Sequence, residues 1–204
     1  METNKLYPIF LKLTGKRVLI VGGGMIALQK LVSLLNTEAQ LVVLAPNIID
    51  EVYACRGEFP DIRHIKFIER EYEFGDEKDF DIVIAATDID ELNNSIANRC
   101  RDQGILVNSV DQADYCDFYV PSIVDSGNVK IAISTNGQAP AIAQKLRLEL
   151  EQKLDQSFQE LVERASKFRS KVKAKYQDSG RRMKLSCWYT DRQWKKYREA
   201  INAS

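Results

Sequence analysis

Residues 17–27 read RVLIVGGGMIA, an apolar run that ends in three glycines and leads into a helical pattern. Val18–Val21 is a continuous β-rich segment, as expected for a strand buried on both faces of a parallel sheet. Gly22, Gly24 and Ala27 then satisfy the spacing G-x-G-x-x-G/A. The stretch is typical of a strand, a tight glycine turn and a helix.

The small residues of this turn have separate roles in a dinucleotide site. The first glycine allows the tight turn, the second lets the backbone approach a pyrophosphate, and the small third residue lets the helix pack close to the strand. The N-terminus of the helix then faces the phosphates. We therefore predict a nucleotide cofactor here, and the alternative is a glycine turn that serves only packing.

Further strands and helices alternate along the next 80 or so residues. Apolar residues recur at helical spacing over 26–35, and a helix is predicted over 91–103. Apolar segments that read as strands lie at 41–45, 65–68, 81–86 and 105–108. This alternation predicts an α/β fold, a Rossmann-type doubly wound parallel sheet. Gly104 is well placed to end the second helix as its C′ residue.

The pattern changes after about residue 115. Segments 118–124 and 129–134, joined by 125–128, have the chemistry of a β-hairpin, which we expect to extend the sheet or to pair with another copy of the chain. Pro140 is suited to position N1 of a helix that runs to about Leu154. From Phe158 onward the apolar residues lie on one face of an amphipathic helix.

Composition limits the functional classes. The chain has 204 residues, with 29 Lys and Arg against 29 Asp and Glu, and this zero net charge argues against a general nucleic-acid binder. No stretch approaches the roughly 20 apolar residues that span a bilayer, and the first residues lack the pattern of a secretory signal. We therefore predict a cytoplasmic protein without a membrane partner.

Cysteine and histidine give no metal-ligand pattern. The four cysteines show no C-x-x-C spacing, as expected for reduced thiols, and the single histidine, His64, has no second ligand candidate beside it. We predict no protein metal site, and we expect His64 to lie in a strand or at its edge. Proton transfer then falls to a carboxylate, Tyr, Lys or water.

The C-terminal part carries a basic stripe, which consists of Arg164, Lys167, Lys171 and Lys175. It is either a solvated helix face tied by ion pairs from Glu160 and Glu163, or a rim for a polyanionic substrate. Four nearby aromatic residues are expected to pack this small helical domain rather than to stack on a ligand; they are Trp188, Tyr189, Trp194 and Tyr197.

Open α/β sheets bind ligands beyond the carboxyl ends of their strands, so the residues after each strand are candidates for the site. They are Gly22–Ile26, Pro46, Asn47, Thr87, Asp88, Asn108, Ser109 and Asp111. The acidic residue that usually binds the ribose after the second strand is absent, and no Arg or Lys stands there for a 2′-phosphate. The absence of both residues leaves the choice between NAD and NADP as cofactor open, and it favours NAD slightly.

Asp111 is the candidate for chemistry. It follows the fifth strand, near where a nicotinamide would lie, and its carboxylate could accept a proton while a hydride leaves to the cofactor. It could also deprotonate a nitrogen before metal insertion. The alternative is an aspartate that caps the loop.

Five separated motifs now carry a resemblance. They are YPIFLKLTGKRVLIVGGG at 7–24, IAATD at 84–88, VNSVD at 107–111, FYVPSIVDSGNVKIAIST at 118–135 and NGQAPAIAQKLR at 136–147. Together they resemble the precorrin-2 dehydrogenase family, the dehydrogenase module of siroheme synthase, some of whose members are also sirohydrochlorin ferrochelatases. The resemblance covers about residues 6 to 150, and the C-terminal helical part is similar only in kind.

The resemblance implies a homodimer that oxidises precorrin-2, a tetrapyrrole, to sirohydrochlorin with NAD⁺. The family's catalytic aspartate corresponds to Asp111, which in bifunctional members also serves the insertion of Fe²⁺. The implied cofactor contacts are Gly22, Gly23, Gly24, Met25, Ile26, Pro46, Asn47, Thr87 and Asp88. Some relatives have an acidic residue at the position of Met25, so a side-chain contact is not expected there.

The implied division of the chain is an NAD-binding domain over residues 1–113, a dimerisation segment over 114–154 and a C-terminal helical domain over 155–204. Two other functions stay open. An NAD-binding regulatory module would need the glycine turn but no carboxylate at Asp111, and a methyltransferase could use a similar glycine loop. Titration with NAD⁺ and with S-adenosylmethionine separates these alternatives.

Overall fold

The structure, a computed structural model, describes residues 6–58 and 65–202, so the expectation for His64 lies outside the described residues. The chain divides into two compact units, Met1–Tyr119 and Val120–Ser204. The finer division, with boundaries after residues 113 and 154, stays a prediction.

The first unit contains a five-stranded parallel sheet with the order β3-β2-β1-β4-β5. Its strands are β1 (Arg17–Val21), β2 (Gln40–Ala45), β3 (Ile65–Glu69), β4 (Ile82–Ala85) and β5 (Leu106–Ser109). Its helices are α1 (Met25–Leu34), α2 (Asp50–Glu58) and α3 (Asp90–Asp102), followed by a short 3₁₀ turn at Ala113–Tyr115. The predicted α/β Rossmann-type fold is confirmed.

The central strand β1 is buried on both faces, as its unbroken apolar sequence predicts. Val18 and Ile20 join one cluster of buried side chains with residues of α1, whereas Leu19 and Val21 join another with residues of α3. Burial of each such side chain contributes about 1.5–3 kcal/mol. The sheet therefore gives the strand ends a rigid support on both faces.

The end of α3 confirms the role predicted for Gly104. Gly104 has φ +69°, and its N–H donates to the carbonyl of Arg101 at 3.1 Å. The N–H of Ile105 donates to the carbonyl of Cys100 at 2.8 Å. This is a Schellman motif, which turns the chain directly into β5.

A buried carboxylate fixes the segment between β3 and β4. Glu77 is fully buried, and it accepts hydrogen bonds from the Tyr72 hydroxyl, from the Gly75 N–H at 3.0 Å and from the Gln103 side-chain amide at 2.9 Å. Burial raises the pKa of Glu77, but these hydrogen bonds outweigh burial and lower it below its ordinary value. The network ties this segment to the end of α3.

Replacing Glu77 with Gln should lower the free energy of unfolding by about 1–3 kcal/mol at pH 7, because it removes a charge-assisted acceptor from a buried network. A lowered folded-state pKa gives stability that is present above the unfolded pKa of about 4.3 and is lost as the pH falls through the folded pKa. The difference between the two proteins should therefore shrink at acid pH. Urea unfolding at pH 7 and at acid pH measures this difference in the free energy of unfolding. Glu71→Gln, an exposed neighbour, is the control. An equal difference at every pH would contradict this account.

The second unit starts with an antiparallel hairpin of β6 (Ser122–Ser126) and β7 (Val129–Ile133). It forms a sheet of its own in the described structure and does not extend the five-stranded sheet. The first strand starts later than predicted because Pro121 has no N–H to donate to a ladder. The turn is also tighter than predicted, with Gly127 at φ +61°.

Three helices complete this unit: α4 (Pro140–Lys153), α5 (Gln156–Lys175) and α6 (Ser179–Asn202). Pro140 stands at the start of α4 as predicted. Asp155 caps α5 by accepting a hydrogen bond from the Phe158 N–H at 3.0 Å. No helix in the described part of the chain has the length and apolar character needed to cross a bilayer.

Most of the C-terminal aromatic residues pack as predicted. Phe168 of α5 stacks on Tyr189 of α6 with ring centroids 4.0 Å apart, and Phe158 contacts Trp194 at 6.3 Å and Tyr197 at 5.9 Å. Trp188 differs, because it is 56% exposed and has no aromatic ring contact among the described residues; Trp194 is also 45% exposed despite its ring contacts.

Candidate functional site

The site lies where the carboxyl ends of the parallel strands meet at one edge of the sheet. Because β1 is paired with β2 on one side and with β4 on the other, the chain leaves β1 at the topological switch point of the sheet. Gly22 follows β1, its N–H donates to the Leu44 carbonyl at 2.9 Å, and it has φ +128°. A Cβ on Gly22 would lie 2.2 Å from the backbone oxygen of Ala86, so only glycine fits this turn.

Gly23 packs the turn against the segment that follows β2. A Cβ on Gly23 would lie 2.2 Å from the backbone oxygen of Asn47, and the Gly23 carbonyl accepts from the Ile49 N–H at 3.0 Å. The candidate residues Pro46 and Asn47 therefore stand directly beside the turn. The sequence motif assigns no role to the middle glycine, and the structure gives it a steric one.

Gly24 is different from its two neighbours because the space around it is open. No atom lies within 4 Å of where its Cβ would stand, and it is the N-cap of α1 without a side-chain hydrogen bond to the helix. The first turn of α1 contains no acidic residue, and both Met25 and Ile26 are exposed. Free space beside uncapped N–H groups suits a phosphate. The residues present therefore fit a dinucleotide, held here mainly by backbone groups.

The turn after β4 is held by a residue that sequence reasoning missed. Asn93 of α3 is buried, and its side-chain oxygen accepts from the Thr87 N–H at 3.1 Å and from the Thr87 hydroxyl at 2.8 Å. Its side-chain amide donates to the Thr87 carbonyl at 2.9 Å. Asn93 thereby fixes the backbone of Thr87 beside the exposed Asp88. A polar residue on the buried face of a predicted helix was the signal that could have revealed it.

Substituting Asn93 with Ala should lower the free energy of unfolding by about 1–3 kcal/mol, since the Thr87 N–H and carbonyl lose their partner. Affinity for NAD⁺ should fall by about tenfold, as for loss of about one hydrogen bond, because the Thr87–Asp88 turn is released. Thermal melting and a fluorescence titration with NAD⁺ check this, with Asn98→Ala, an exposed residue of the same helix, as control. Unchanged affinity in a folded variant would show that Asn93 has no part in the site.

Asp111 stands at the end of β5 in an unusual backbone conformation. It is exposed and has φ +59°, a left-handed conformation that Asp and Asn adopt more readily than other non-glycine residues. The N–H of the preceding Val110 donates to the Ala85 carbonyl at 3.0 Å, which keeps the start of the loop on the sheet. Within residues 6–58 and 65–202 the Asp111 carboxylate accepts no hydrogen bond and forms no ion pair, so the loop-capping role is not seen.

A polar cluster surrounds the start of this loop. Asn108 donates from its side-chain amide to the Phe118 carbonyl at 2.9 Å, and the Cys116 thiol donates to the Ser109 carbonyl at 3.0 Å. Burial raises the pKa of the Cys116 thiol. Lys30 of α1 lies near both Asp111 and Cys116; burial lowers its pKa, and the charges of these two groups oppose the decrease. Sequence reasoning missed Lys30.

The sheet thus brings the predicted site residues together at one edge, with the glycine turn in the centre, the Pro46 and Asn47 segment on one side, and Thr87, Asp88 and the Asp111 loop on the other. Among the described residues no group of three or more His, Cys, Asp or Glu side chains is placed to hold a metal ion.

The basic stripe of α5 belongs to the second unit. Two of its four members form the predicted ion pairs, Arg164 with Glu160 at 3.6 Å and Lys167 with Glu163 at 3.0 Å. Exposed pairs at this spacing stabilise a helix by about 0.3–0.5 kcal/mol each. This half of the stripe is therefore a solvated helix face.

Comparison with known proteins agrees with this geometry. Residues 127–153 match the family model described as "Sirohaem biosynthesis protein central". Among curated proteins, the siroheme synthase of Psychrobacter cryohalolentis is 41% identical over 169 residues, which cover 83% of this chain and 32% of that protein. The siroheme synthase of Nitrosococcus oceani is 36% identical over 168 residues, which cover 81% and 35%. The chain spans about a third of the length of these relatives.

A solved structure named "SirC, precorrin-2 dehydrogenase" has the same fold, with a TM-score of 0.72 at 20% identity, over 98% of this chain and 100% of that one. The resemblance to siroheme-biosynthesis proteins is thus confirmed. Residues 9–122 match the family model described as "Putative NAD(P)-binding". Because this match covers more than half of the sequence, the chain belongs to that NAD(P)-binding family.

Proposed function

We propose that this chain binds NAD⁺ and oxidises precorrin-2 to sirohydrochlorin in siroheme biosynthesis. The observation that carries the proposal is the open, uncapped glycine turn at Gly24 on the same sheet edge as an exposed, unpaired carboxylate, Asp111. The printed names of the relatives, siroheme synthase and precorrin-2 dehydrogenase, support it.

The cofactor contacts follow from the turn. Backbone groups of Gly22–Ile26 would hold the diphosphate, because Gly24 leaves room for it and the helix N-terminus favours its charge. Pro46 and Asn47 would line the ribose side, and the turn at Thr87 and Asp88 would lie on the other side. No basic side chain follows β2 at 46–49, which favours NAD⁺ over NADP⁺.

When bound, NAD⁺ supplies the hydride acceptor. The oxidation removes one hydride and one proton from the tetrapyrrole, and we assign the proton to the Asp111 carboxylate as general base. The left-handed backbone at Asp111 directs this loop, and exposure of the carboxylate lets the proton pass on to water. The Asp111 carboxylate forms no ion pair in the described part of the chain, so it is available to accept the proton.

The direct test incubates the protein with NAD⁺ and precorrin-2 without oxygen. NADH and sirohydrochlorin should form in equal amounts. If NAD⁺ binds but no NADH forms, the dehydrogenase proposal is wrong and an NAD-binding regulatory module explains the fold better. Binding of S-adenosylmethionine instead of NAD⁺ would favour a methyltransferase.

Iron insertion into sirohydrochlorin is a second candidate activity of the same site. The observation that favours it is again the unpaired Asp111 carboxylate, which could accept protons from the pyrrole nitrogens before Fe²⁺ enters as substrate. The tetrapyrrole supplies its own nitrogen ligands to the iron. Sirohydrochlorin and Fe²⁺ are supplied without NAD⁺, and formation of siroheme above the uncatalysed rate decides the question.

We also propose that the chain acts as a homodimer in the cytoplasm. Ile142 and Leu146, four residues apart on α4, are 55% and 42% exposed, and Ile123 of the hairpin is exposed as well. Apolar residues on one exposed helix face suit a contact with a second copy. Sedimentation of the protein, compared with an Ile142→Asp variant, tests the dimer. All four cysteines are free thiols, in keeping with a reducing compartment.

A further inference from the structure

One lysine of the first unit stands out by its surroundings. Lys30 lies in the middle of α1, between the core residues Ala27 and Leu31, and it is only partly exposed. Burial lowers the pKa of Lys30, and the charges of the Cys116 thiol and the Asp111 carboxylate oppose that decrease. Val110, next to Asp111, packs against the same buried cluster as Ala27 and Leu31. Lys30 therefore lies on the same face of the sheet as the loop that follows β5, where the candidate base stands.

The Lys30 ammonium has no partner among the described residues. It forms no hydrogen bond there, and no carboxylate oxygen lies within 4.0 Å of it, whereas the more exposed Lys16 pairs with Asp81 at 2.6 Å and Lys167 pairs with Glu163 at 3.0 Å. Usually the more buried lysine is the paired one, because a partly buried charge is costly unless it is paired. Here the more buried lysine is the unpaired one. The Lys30 ammonium is therefore free to pair with an anion from outside the chain.

Two buried polar atoms at the end of β5, just before the Asp111 loop, also lack partners in the described structure. Asn108 is 4% exposed and Ser109 is 2% exposed, and the side-chain oxygen of each has no hydrogen-bond partner in the described structure. Asn108 also contacts Cys116, with its side-chain nitrogen 3.4 Å from the sulfur. Native proteins satisfy nearly all their buried polar groups, and exceptions that cluster mark functional sites.

We infer that Lys30 is an oxyanion-binding residue of the candidate site, whose ammonium pairs with a carboxylate of the substrate or a phosphate oxygen of the cofactor. This inference rests on the proposed function. The position of Lys30 beside Asp111 favours the substrate carboxylate. A polycarboxylate that approaches Asp111 meets a like charge, and the Lys30 ammonium offsets that repulsion and holds the substrate against the base.

A role in binding also predicts how the melting temperature responds when Lys30 is replaced. Replacing an unpaired, partly buried ammonium with an apolar side chain of similar length removes a desolvation cost. Lys30→Met should therefore leave the melting temperature of the ligand-free protein unchanged or raise it. A purely structural lysine would lower that temperature when removed, so the melting curve separates the two roles without an activity assay.

The experiment compares wild type, Lys30→Met, Lys30→Arg and a control, Lys66→Met, which removes an exposed lysine of β3. Dissociation constants are measured for NAD⁺ and for sirohydrochlorin by fluorescence titration. For Lys30→Met we expect the affinity for sirohydrochlorin to fall about tenfold or more, as for loss of one charge-assisted hydrogen bond. Lys30→Arg should stay within about threefold of wild type, and Lys66→Met should bind normally.

Each outcome decides the inference. Loss of affinity for sirohydrochlorin alone assigns the oxyanion to the substrate, and loss for NAD⁺ alone assigns it to the cofactor. Normal binding of both ligands by Lys30→Met, or a lower melting temperature of the ligand-free variant, overturns it. If wild type binds neither ligand, the proposed function itself fails, and this inference fails with it.

Discussion

Asp111→Asn is expected to lower kcat for the oxidation of precorrin-2 by about 100- to 10,000-fold, the usual contribution of a general base. The affinity for NAD⁺ and the melting temperature should stay at their wild-type values. The fold should tolerate the change because the carboxylate is exposed and forms no hydrogen bond or ion pair in the described part of the chain. Asn also adopts the left-handed backbone that Asp111 occupies at φ +59°.

The backbone at this position makes Asn a better probe than Ala. Alanine at a positive φ adds conformational strain of order 1 kcal/mol, so a slow Asp111→Ala enzyme could reflect a moved loop as well as a lost base. Asp114→Asn, an exposed neighbour in the 3₁₀ turn, is the control for loss of one negative charge near the site. Single-turnover formation of NADH is the measurement. Unchanged turnover in Asp111→Asn would remove Asp111 from the mechanism.

Features of the fold that depend on local chemistry could be predicted from the sequence. The unbroken apolar run before Gly22 predicts a central strand, and the structure buries it on both faces. Gly104 and Pro140 mark a helix end and a helix start because the backbone of each is suited to that one place. Pro121 shows the reverse, since its missing N–H outweighs the apolar pattern around it and delays the hairpin strand.

The contacts that shape the site depend instead on residues far apart in the sequence. The motif spacing gives roles to Gly22 and Gly24, but only the packing of the turn on Asn47 shows why position 23 must be small. Asn93 is recognised only when its side chain is seen to hold Thr87. Hydrophobic periodicity records which face of an element is buried, and it contains nothing about such polar partners.

The same limit explains why the position of Asp111 could be predicted but its electrostatic surroundings could not. Asp111 follows a strand, and the end of each parallel strand is a known place for ligands. Lys30, whose charge interacts with that of Asp111, comes from a helix about 80 residues earlier in the sequence. A lysine between two core positions of an amphipathic helix is unusual, and it is a signal worth reading in other sequences.

Placing serine at Gly22 and at Gly24 should give opposite results, although the two positions are two residues apart. Gly22→Ser should lower the free energy of unfolding by roughly 2–6 kcal/mol, because overpacking and a strained backbone each cost about 1–3 kcal/mol. The new Cβ would collide at 2.2 Å with the backbone carbonyl oxygen of Ala86, whose N–H is bonded to the Val21 carbonyl of β1, and φ is +128°. This variant loses cofactor binding by losing its fold.

Gly24→Ser should fold as well as wild type, since no atom lies within 4 Å of the new Cβ and serine is a good N-cap. The same hydroxyl that caps α1 would occupy the N–H groups and the space that we assign to the diphosphate. Affinity for NAD⁺ should therefore fall by about tenfold or more, as for loss of a charge-assisted hydrogen bond, with no loss of melting temperature. Calorimetric titration and thermal melting of both variants measure this contrast. Wild-type affinity in Gly24→Ser would mean that the cofactor does not approach the backbone here, and the open turn would then serve only the packing of α1 against the sheet.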